Sequence, residues 1–415
     1  MSTATIPNVF KQDATVISLV GFAHGTSHFY HLMLPPLFPW LMSEYSLSYT
    51  QVGALMTVFF TVSGIGQALA GFLVDRWGSH RVMCLGVALL SCSGILVAVS
   101  AGLWGLYLAA FVAGLGNSVF HPADYALLNH RVSQARLGHA FSMHGLSGNL
   151  GWALGPVLMT ATATAFGWRA AGLVAALLGG ASLASLWWKR GALSNEMAGE
   201  VLSRGAHRPR GSGVRLSALL KLRLTWLAFS FFFFSTLVFG ALQNFAPPLL
   251  RGLYGLSLAA ATSGLTAYLF GSAAGLVVGG FLTSAAKGQE KLIGFCFLGS
   301  AALALLLAFS VVPGWTVIGI MAVMGFGVGL VGPSRDMLVR QSAAARLGTG
   351  AFGRIYGLVY SGLDVGLATA PLIFGVLMDA GKTSFVFVGV SISLILAIIA
   401  AQAVAGEARR VPQQA

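Results

Sequence analysis

Ionisable side chains set inside long apolar runs are where this chain's chemistry is to be sought, because only 8% of its 415 residues are charged. His24, His28 and His31 follow one another at i, i+4 and i+7. At about 100° per residue they fall within roughly 60° of arc on one helix face, and Tyr30 flanks them. Three chemistries suit such a stripe. Imidazole titrates near neutral pH and can handle protons or substrate. The spacing also offers two or three nitrogen ligands to a transition metal, or three hydrogen-bonding groups to neighbouring helices. His121 and Asp124, at i and i+3, form either a local pair that steadies a Pro-containing helix or a site for one proton shared by two interacting groups. Asp364 lies near the middle of another run. It reads as a proton site or as a neutral acid bonded to backbone, with Arg354 and Tyr356 two to three turns away on the same run. Arg335, beside Asp336, reads as an anion-binding group, one half of an ion pair, or an anchor for a helix end. His144, Asn149, Gln243 and Asn244 are further candidate pocket polars. Each such group is costly in hydrocarbon and is a functional-site hypothesis by default.

The elements that must position these groups follow from composition. Hydrophobic residues make up 56% of the chain, with 54 Gly and 28 Phe, whereas an ordinary soluble domain carries about 25% charged residues. That balance excludes a disordered chain and a soluble enzyme. A helix needs roughly 20 apolar residues to cross a hydrocarbon core, and only helices or closed barrels satisfy their backbone there. Runs such as 85–101 and 385–401 do not alternate as barrel strands do. The reading is therefore all-α and integral to the membrane, with spans at 15–42, 50–74, 81–101, 104–128, 138–166, 168–188, 222–250, 258–286, 291–311, 314–340, 350–380 and 383–405. Phe231 to Phe234 are expected to face lipid.

Twelve spans put both termini on one side. With the termini cytoplasmic, only Arg169, Arg251 and Lys382 fall on the opposite side, and Arg335 and Arg354 lie within spans. Every other Lys and Arg is cytoplasmic, as the positive-inside rule requires. The sequence pI of 10.2 is explained by that bias, so no nucleic-acid partner is expected. Cys84, Cys92 and Cys296 all sit in apolar spans and form no disulfide framework. The N-terminus lacks a cleavable signal pattern.

The chain also repeats itself at an offset near 210. Tyr45-Ser46-Leu47-Ser48 matches Tyr254-Gly255-Leu256-Ser257, and Gly71-Phe72-Leu73 matches Gly280-Phe281-Leu282. Leu34-Pro35-Pro36-Leu37 resembles Ala246-Pro247-Pro248-Leu249. Gly114-Leu115-Gly116 before Pro122 matches Gly325-Phe326-Gly327 before Pro333, and Gly151 with Pro156 matches Gly366 with Pro371. The expected organisation is a six-helix bundle over 1–188, a basic cytoplasmic linker over 189–221 and a second bundle over 222–415. Parallel repeats of this kind enclose a central cavity and alternate access to it by rocking.

Gly71-Phe72-Leu73-Val74-Asp75-Arg76-Trp77-Gly78-Ser79-His80-Arg81, between spans two and three, resembles the signature loop of the major facilitator superfamily. Gly151-Trp152-Ala153-Leu154-Gly155-Pro156 is similar to the Gly-xxx-Gly-Pro motif of that family's antiporters, although Val157-Leu158-Met159 replaces the usual Gly-Gly. Asn117-Ser118-Val119-Phe120-His121-Pro122-Ala123-Asp124 resembles the fosmidomycin-resistance branch. The resemblance implies export of a drug-like solute in a bacterial inner membrane; the histidines with Arg335 point to an anionic or zwitterionic solute, and the titratable groups within spans, with no nucleotide-binding motif, point to proton coupling. It implies Gly71, Asp75, Arg76, Gly78 and Arg81 as a conformational latch, and Gly151, Gly155 and Pro156 as hinge and packing positions. The alternatives are a proton-coupled importer of an organic acid and a metal or metal-chelate transporter using the span-one histidines. No cofactor is expected, since no GxxxxGK[ST] loop occurs. The expected partners are the solute, protons and the lipid bilayer, with the linker on the anionic leaflet and the chain acting as a monomer.

Overall fold

A computed structural model of the protein describes residues 9–193, 221–285, 288–347 and 352–409, and most of the 189–221 linker lies outside them. The described residues contain helices and no strand. In chain order the helices are α1 (Val9–His31), α2 (Phe38–Tyr45), α3 (Tyr49–Trp77), α4 (Ser79–Val99), α5 (Leu103–Asn117), α6 (Phe120–Arg131), α7 (Leu137–Phe166), α8 (Trp168–Trp188) and the single turn α9 (Arg190–Leu193). They continue as α10 (Arg223–Tyr254), α11 (Leu258–Ala285), α12 (Gln289–Ala308), α13 (Val317–Leu347), α14 (Phe352–Asp379) and α15 (Ser384–Arg409).

Ten spans, counting α5 and α6 as one, are long and apolar enough to cross a membrane. The long helices outside that set are α1 and α7, of 23 and 30 residues. Both are diluted by the polar groups named above, and they pack against one another. Large apolar side chains such as Phe72, Leu177, Phe281 and Phe295 point outward, a placement that suits lipid and not water. Trp104, Trp188 and Trp315 are more than four-fifths exposed near helix ends, where aromatic residues favour the membrane interface.

Two expected spans are broken. Span one, read as 15–42, ends as a helix at His31, because Pro35 and Pro36 cannot donate to a continuing ladder. The chain resumes through a short turn at Pro35–Leu37 into α2. Span four, read as 104–128, is interrupted at Ser118 and Val119 between α5 and α6. Pro122 has no N–H to return to the Ser118 carbonyl, and it sits instead in the first turn of α6, where none is needed.

The helices gather into two compact units, Met1–Leu37 with Val62–Ala206 and Phe38–Thr61 with His207–Ala415. In the first unit α1 packs on α7 and α8, and α4 on α8 and α5. In the second α10 packs on α14 and α15, and α12 on α15 and α13. Counted as spans, the pairings are one with five and six, three with six and four, then seven with eleven and twelve, nine with twelve and ten. These pairings recur in the same order in both units. The glycines explain one such pair. A Cβ on Gly151 would collide with the backbone carbonyl of Gly25 in α1, and one on its repeat counterpart Gly366 would meet Thr236 and the Phe233 carbonyl in α10.

Within the second unit Asp379, at the end of α14, accepts hydrogen bonds from the backbone N–H groups of Tyr49 (2.6 Å) and Thr50 (2.9 Å) and from the Thr50 hydroxyl. A carboxylate distant in sequence thereby caps the start of α3, where helix N–H groups lack partners and the dipole favours negative charge. Thr57, about two turns further along the same face of α3, donates to the Ala368 carbonyl of α14 at 2.7 Å.

Candidate functional site

The polar groups of the first unit converge where α1, α7 and the α5–α6 junction meet. Close approach makes this possible. A Cβ on Gly148 would lie 2.7 Å from His28 Nδ1 and 2.8 Å from His24 Cε1, so this glycine of α7 leaves the room that two imidazoles of α1 fill.

His24 Nδ1 lies 2.9 Å from the backbone carbonyl of His144. A carbonyl only accepts, so Nδ1 carries the proton, and in the neutral ring Nε2 holds the lone pair. That Nε2 is buried without a hydrogen-bond partner. The His24 ring stacks on His144 with centroids 3.5 Å apart. His144 Nε2 is in turn 2.9 Å from Asp124 Oδ2, in a pair 5% and 0% exposed. Asp124 Oδ1 has no partner. His28 lies between His24 at 4.3 Å and Trp152 at 4.4 Å, and its Nδ1 is also buried and unpartnered. His121 stacks on Tyr125, stands 5.7 Å from His24, and has an unpartnered Nδ1.

His31 is different. Trp152 Nε1–H donates to its Nδ1 at 3.1 Å, which fixes the proton on Nε2, and Nε2 donates to Asn117 Oδ1 at 2.9 Å. Asn117 also accepts from Ser27 and donates to Ser63 at 2.8 Å. The three-histidine stripe therefore divides, with His24 and His28 facing the cluster and His31 tied into a hydrogen-bond chain. Of the two readings for His121 and Asp124, the local pair is not formed: the carboxylate reaches His144 on another helix, and His121 turns to Tyr125 and His24. Asn117 and Trp152 went unremarked as site residues in the sequence; a lone amide closing an apolar helix was the available signal for Asn117.

Other expected positions fall elsewhere. Tyr30 donates its hydroxyl to the Ala175 carbonyl at 2.6 Å and anchors α1 to α8, away from the histidines. Asn149 bonds the Gly145 carbonyl of its own helix. Gly155 and Pro156 lie in α7, with Gly155 against Leu32. In the second unit Gln243 and Asn244 are buried in α10, and Asn244 donates to the Gly240 carbonyl at 2.7 Å. The Arg335 guanidinium lies 4.5 Å over the Phe232 ring. Phe231 and Phe232 are fully buried and so do not face lipid, a correction to the expectation for that run. Asp364 is half-buried, with no hydrogen bond or ion pair to a described residue. The side chains of Arg354, Tyr356 and Asp336 lie outside the described residues. Gly71, Asp75, Arg76 and Arg81 are exposed around the α3–α4 turn, which Gly78 makes with φ 83°.

A second buried carboxylate lies at the start of α1. Asp13, 2% exposed, accepts from Ser133 N–H (3.1 Å), the Ser133 hydroxyl (2.6 Å) and Arg136 (2.8 Å). Burial pushes its carboxyl up, but the bonds from Ser133 and Arg136 outweigh that and hold it below the usual carboxylate range. It lies before the apolar run of span one and fastens α1 to the α6–α7 connection.

The cluster can do two things chemically. A carboxylate hydrogen-bonded to an imidazole carries one shared proton and changes net charge by one when it gains or loses it. Neutral imidazoles with open nitrogens accept a proton, a polar ligand or a metal ion.

The sequence model described as Major Facilitator Superfamily matches residues 17–353. The fosmidomycin resistance protein of Escherichia coli (strain K12) is 26% identical over 387 residues, which is 90% of this chain and 88% of that protein. The membrane sensor protein UhpC of Salmonella typhimurium is 29% identical over 144 residues, covering 34% of this chain and 32% of its own. Among solved structures, a bacterial homolog of the human lysosomal transporter Spinster, inward-facing and unoccupied, superposes with a TM-score of 0.74 at 15% identity, covering 98% of each chain.

Proposed function

Since the chain belongs to the Major Facilitator Superfamily, and so is a multi-pass membrane transporter rather than an enzyme, we propose that it exports a small anionic or zwitterionic solute in exchange for protons. The observation that carries this reading is the Asp124–His144 pair, buried within the spans and hydrogen-bonded at 2.9 Å. A transporter that couples alternating access to protons needs a group able to load a proton on one side and release it on the other. A buried pair of this kind keeps the carboxylate hydrogen-bonded to the imidazole in both protonation states, which lowers the cost of its charge in the low-dielectric interior. Asp364 in the second unit is the further coupling group. His28 and His121 in the first unit are candidate contacts for an anionic or amphoteric solute, as are Arg335, Gln243 and Asn244 in the second. Asp75 and Arg76 act as the latch that opens and closes once per cycle. The two halves of the sequence repeat alternate access in an inner membrane, with both termini cytoplasmic. The direction and the choice of solute rest on the likeness to the fosmidomycin resistance protein.

The test uses inside-out vesicles containing the full chain, with fosmidomycin as the probe and imposed pH gradients of both signs. An acidic interior should drive accumulation of the probe, with proton efflux visible to a pH dye. Accumulation driven by an alkaline interior would reverse the direction. Equal flux under both gradients and under none would refute proton coupling.

A further inference from the structure

Several groups in the cluster have nothing to do in the proton pair. His24, His28 and His121 can each present one ligand atom such that the three lie within 4.8 Å of one another. Each also keeps one ring nitrogen buried without a hydrogen-bond partner: His24 Nε2, His28 Nδ1 and His121 Nδ1. Leaving three such ring nitrogens unsatisfied is costly, since each forfeits the water it would bond outside. From this geometry we infer that His24, His28 and His121 form a binding site for a divalent transition-metal ion of the Zn2+, Co2+ or Ni2+ kind. The inference is independent of whether the chain moves protons.

The donor set decides the class of ion. Imidazole nitrogens suit borderline transition metals, and Mg2+ and Ca2+ require oxygen. The outer contacts match those of a metal-ligating histidine. His24 Nδ1–H points at the His144 carbonyl at 2.9 Å, which leaves Nε2 as the free donor, and a backbone carbonyl of this kind orients a ligand ring. Asp124 is the nearby negative charge. With its Oδ1 unpartnered, it forms a second close trio with His24 and His144. That second trio is the weaker candidate, because His144 Nε2 and Asp124 Oδ2 already bond each other. The stripe legible in the sequence, His24 with His28 and His31, is weaker still, since both nitrogens of His31 are engaged. The third ligand comes from α6 instead of α1. Three protein ligands leave a coordination position open, the arrangement of sites whose metal binds a further group.

The experiment titrates Co2+ and Zn2+ into tag-free full-length protein in detergent, followed by visible absorption for Co2+ and by thermal unfolding for Zn2+. The wild type should give the intense absorption of a low-coordinate, imidazole-ligated Co2+ and a higher unfolding temperature with Zn2+. His24→Gln, His28→Gln and His121→Gln should each weaken binding by roughly 10- to 100-fold. Replacing the exposed His130 and His139 by Ala should leave binding unchanged. The wild-type spectrum decides the matter even if a variant fails to fold: a spectrum of hydrated Co2+ alone, or no binding, overturns the site. Binding that survives in the three variants, or disappears with His130 and His139, overturns it equally.

Discussion

Gly148→Ala adds one methyl group to α7 at the point where two imidazoles of α1 press on it. The new Cβ would stand 2.7 Å from His28 Nδ1 and 2.8 Å from His24 Cε1, whereas ordinary contact starts near 3.4 Å. The His28 ring must therefore retreat by about 0.7 Å from a close-packed position. Little room exists for that, with His24 at 4.3 Å and Trp152 at 4.4 Å. Overpacking of this size costs about 1–3 kcal/mol, and replacing a helical Gly by Ala returns about 1 kcal/mol. The net loss of stability is thus about 0–2 kcal/mol. The functional loss should be larger, because a displacement approaching 1 Å at a positioned group costs on the order of 100-fold. Gly151→Ala is the comparison. Its Cβ meets the Gly25 backbone instead of a movable ring, so α1 and α7 must separate; the overpacking cost should be at or above the top of that range, about 3 kcal/mol, a net loss of at least about 2 kcal/mol after the same helix gain. Thermal unfolding in detergent and gradient-driven flux in vesicles separate the two effects. Wild-type flux in a folded Gly148→Ala protein, or equal stability of both variants, would refute the packing of the cluster described above.

Three further outcomes follow from particular contacts. Asp13→Asn should lower stability by about 1–2 kcal/mol by weakening the bonds to Ser133 and Arg136. Because the folded carboxyl sits below its unfolded value, that contribution is present above about pH 4 and lost as the pH falls further, so wild-type and variant melting curves should converge in acid. Asp379→Ala should cost about 1–2 kcal/mol by uncapping α3, read as faster hydrogen exchange at the Tyr49 and Thr50 amides; unchanged exchange would count against the cap. Asp75→Asn should slow flux with little change in the solute concentration giving half-maximal rate, and a large shift in that concentration would remove Asp75 from the latch.

Much of the helical layout was legible because hydrocarbon permits so few alternatives. Apolar runs of helix length marked the ten spans long and apolar enough to cross a membrane, while α1 and α7, diluted by polar groups, fall outside that set. The broken spans were legible in principle: Pro35, Pro36 and Pro122 each remove an N–H from a ladder, and at these three sites the chain stops or restarts. Prolines 156, 247, 248, 333 and 371 nevertheless lie inside continuous helices, so proline alone does not decide. Local spacing placed His24 and His28 on one face correctly. It could not say that Asn117 and Trp152 would hold His31, or that His144 would hold Asp124, because those partners come from other helices. Periodicity along one helix says which residues share a face. It says nothing of which donor waits opposite.

The central claim is that Asp124 and His144 hold the transported proton. The most direct measurement compares, in one Asp124→Asn preparation in proteoliposomes, flux driven by a pH gradient with exchange of labelled for unlabelled fosmidomycin at equal pH. Asparagine keeps the shape and a hydrogen bond to His144 but cannot release a proton. Gradient-driven flux should vanish while exchange persists. Gradient-driven flux at the wild-type rate, still accompanied by proton movement, would contradict the account.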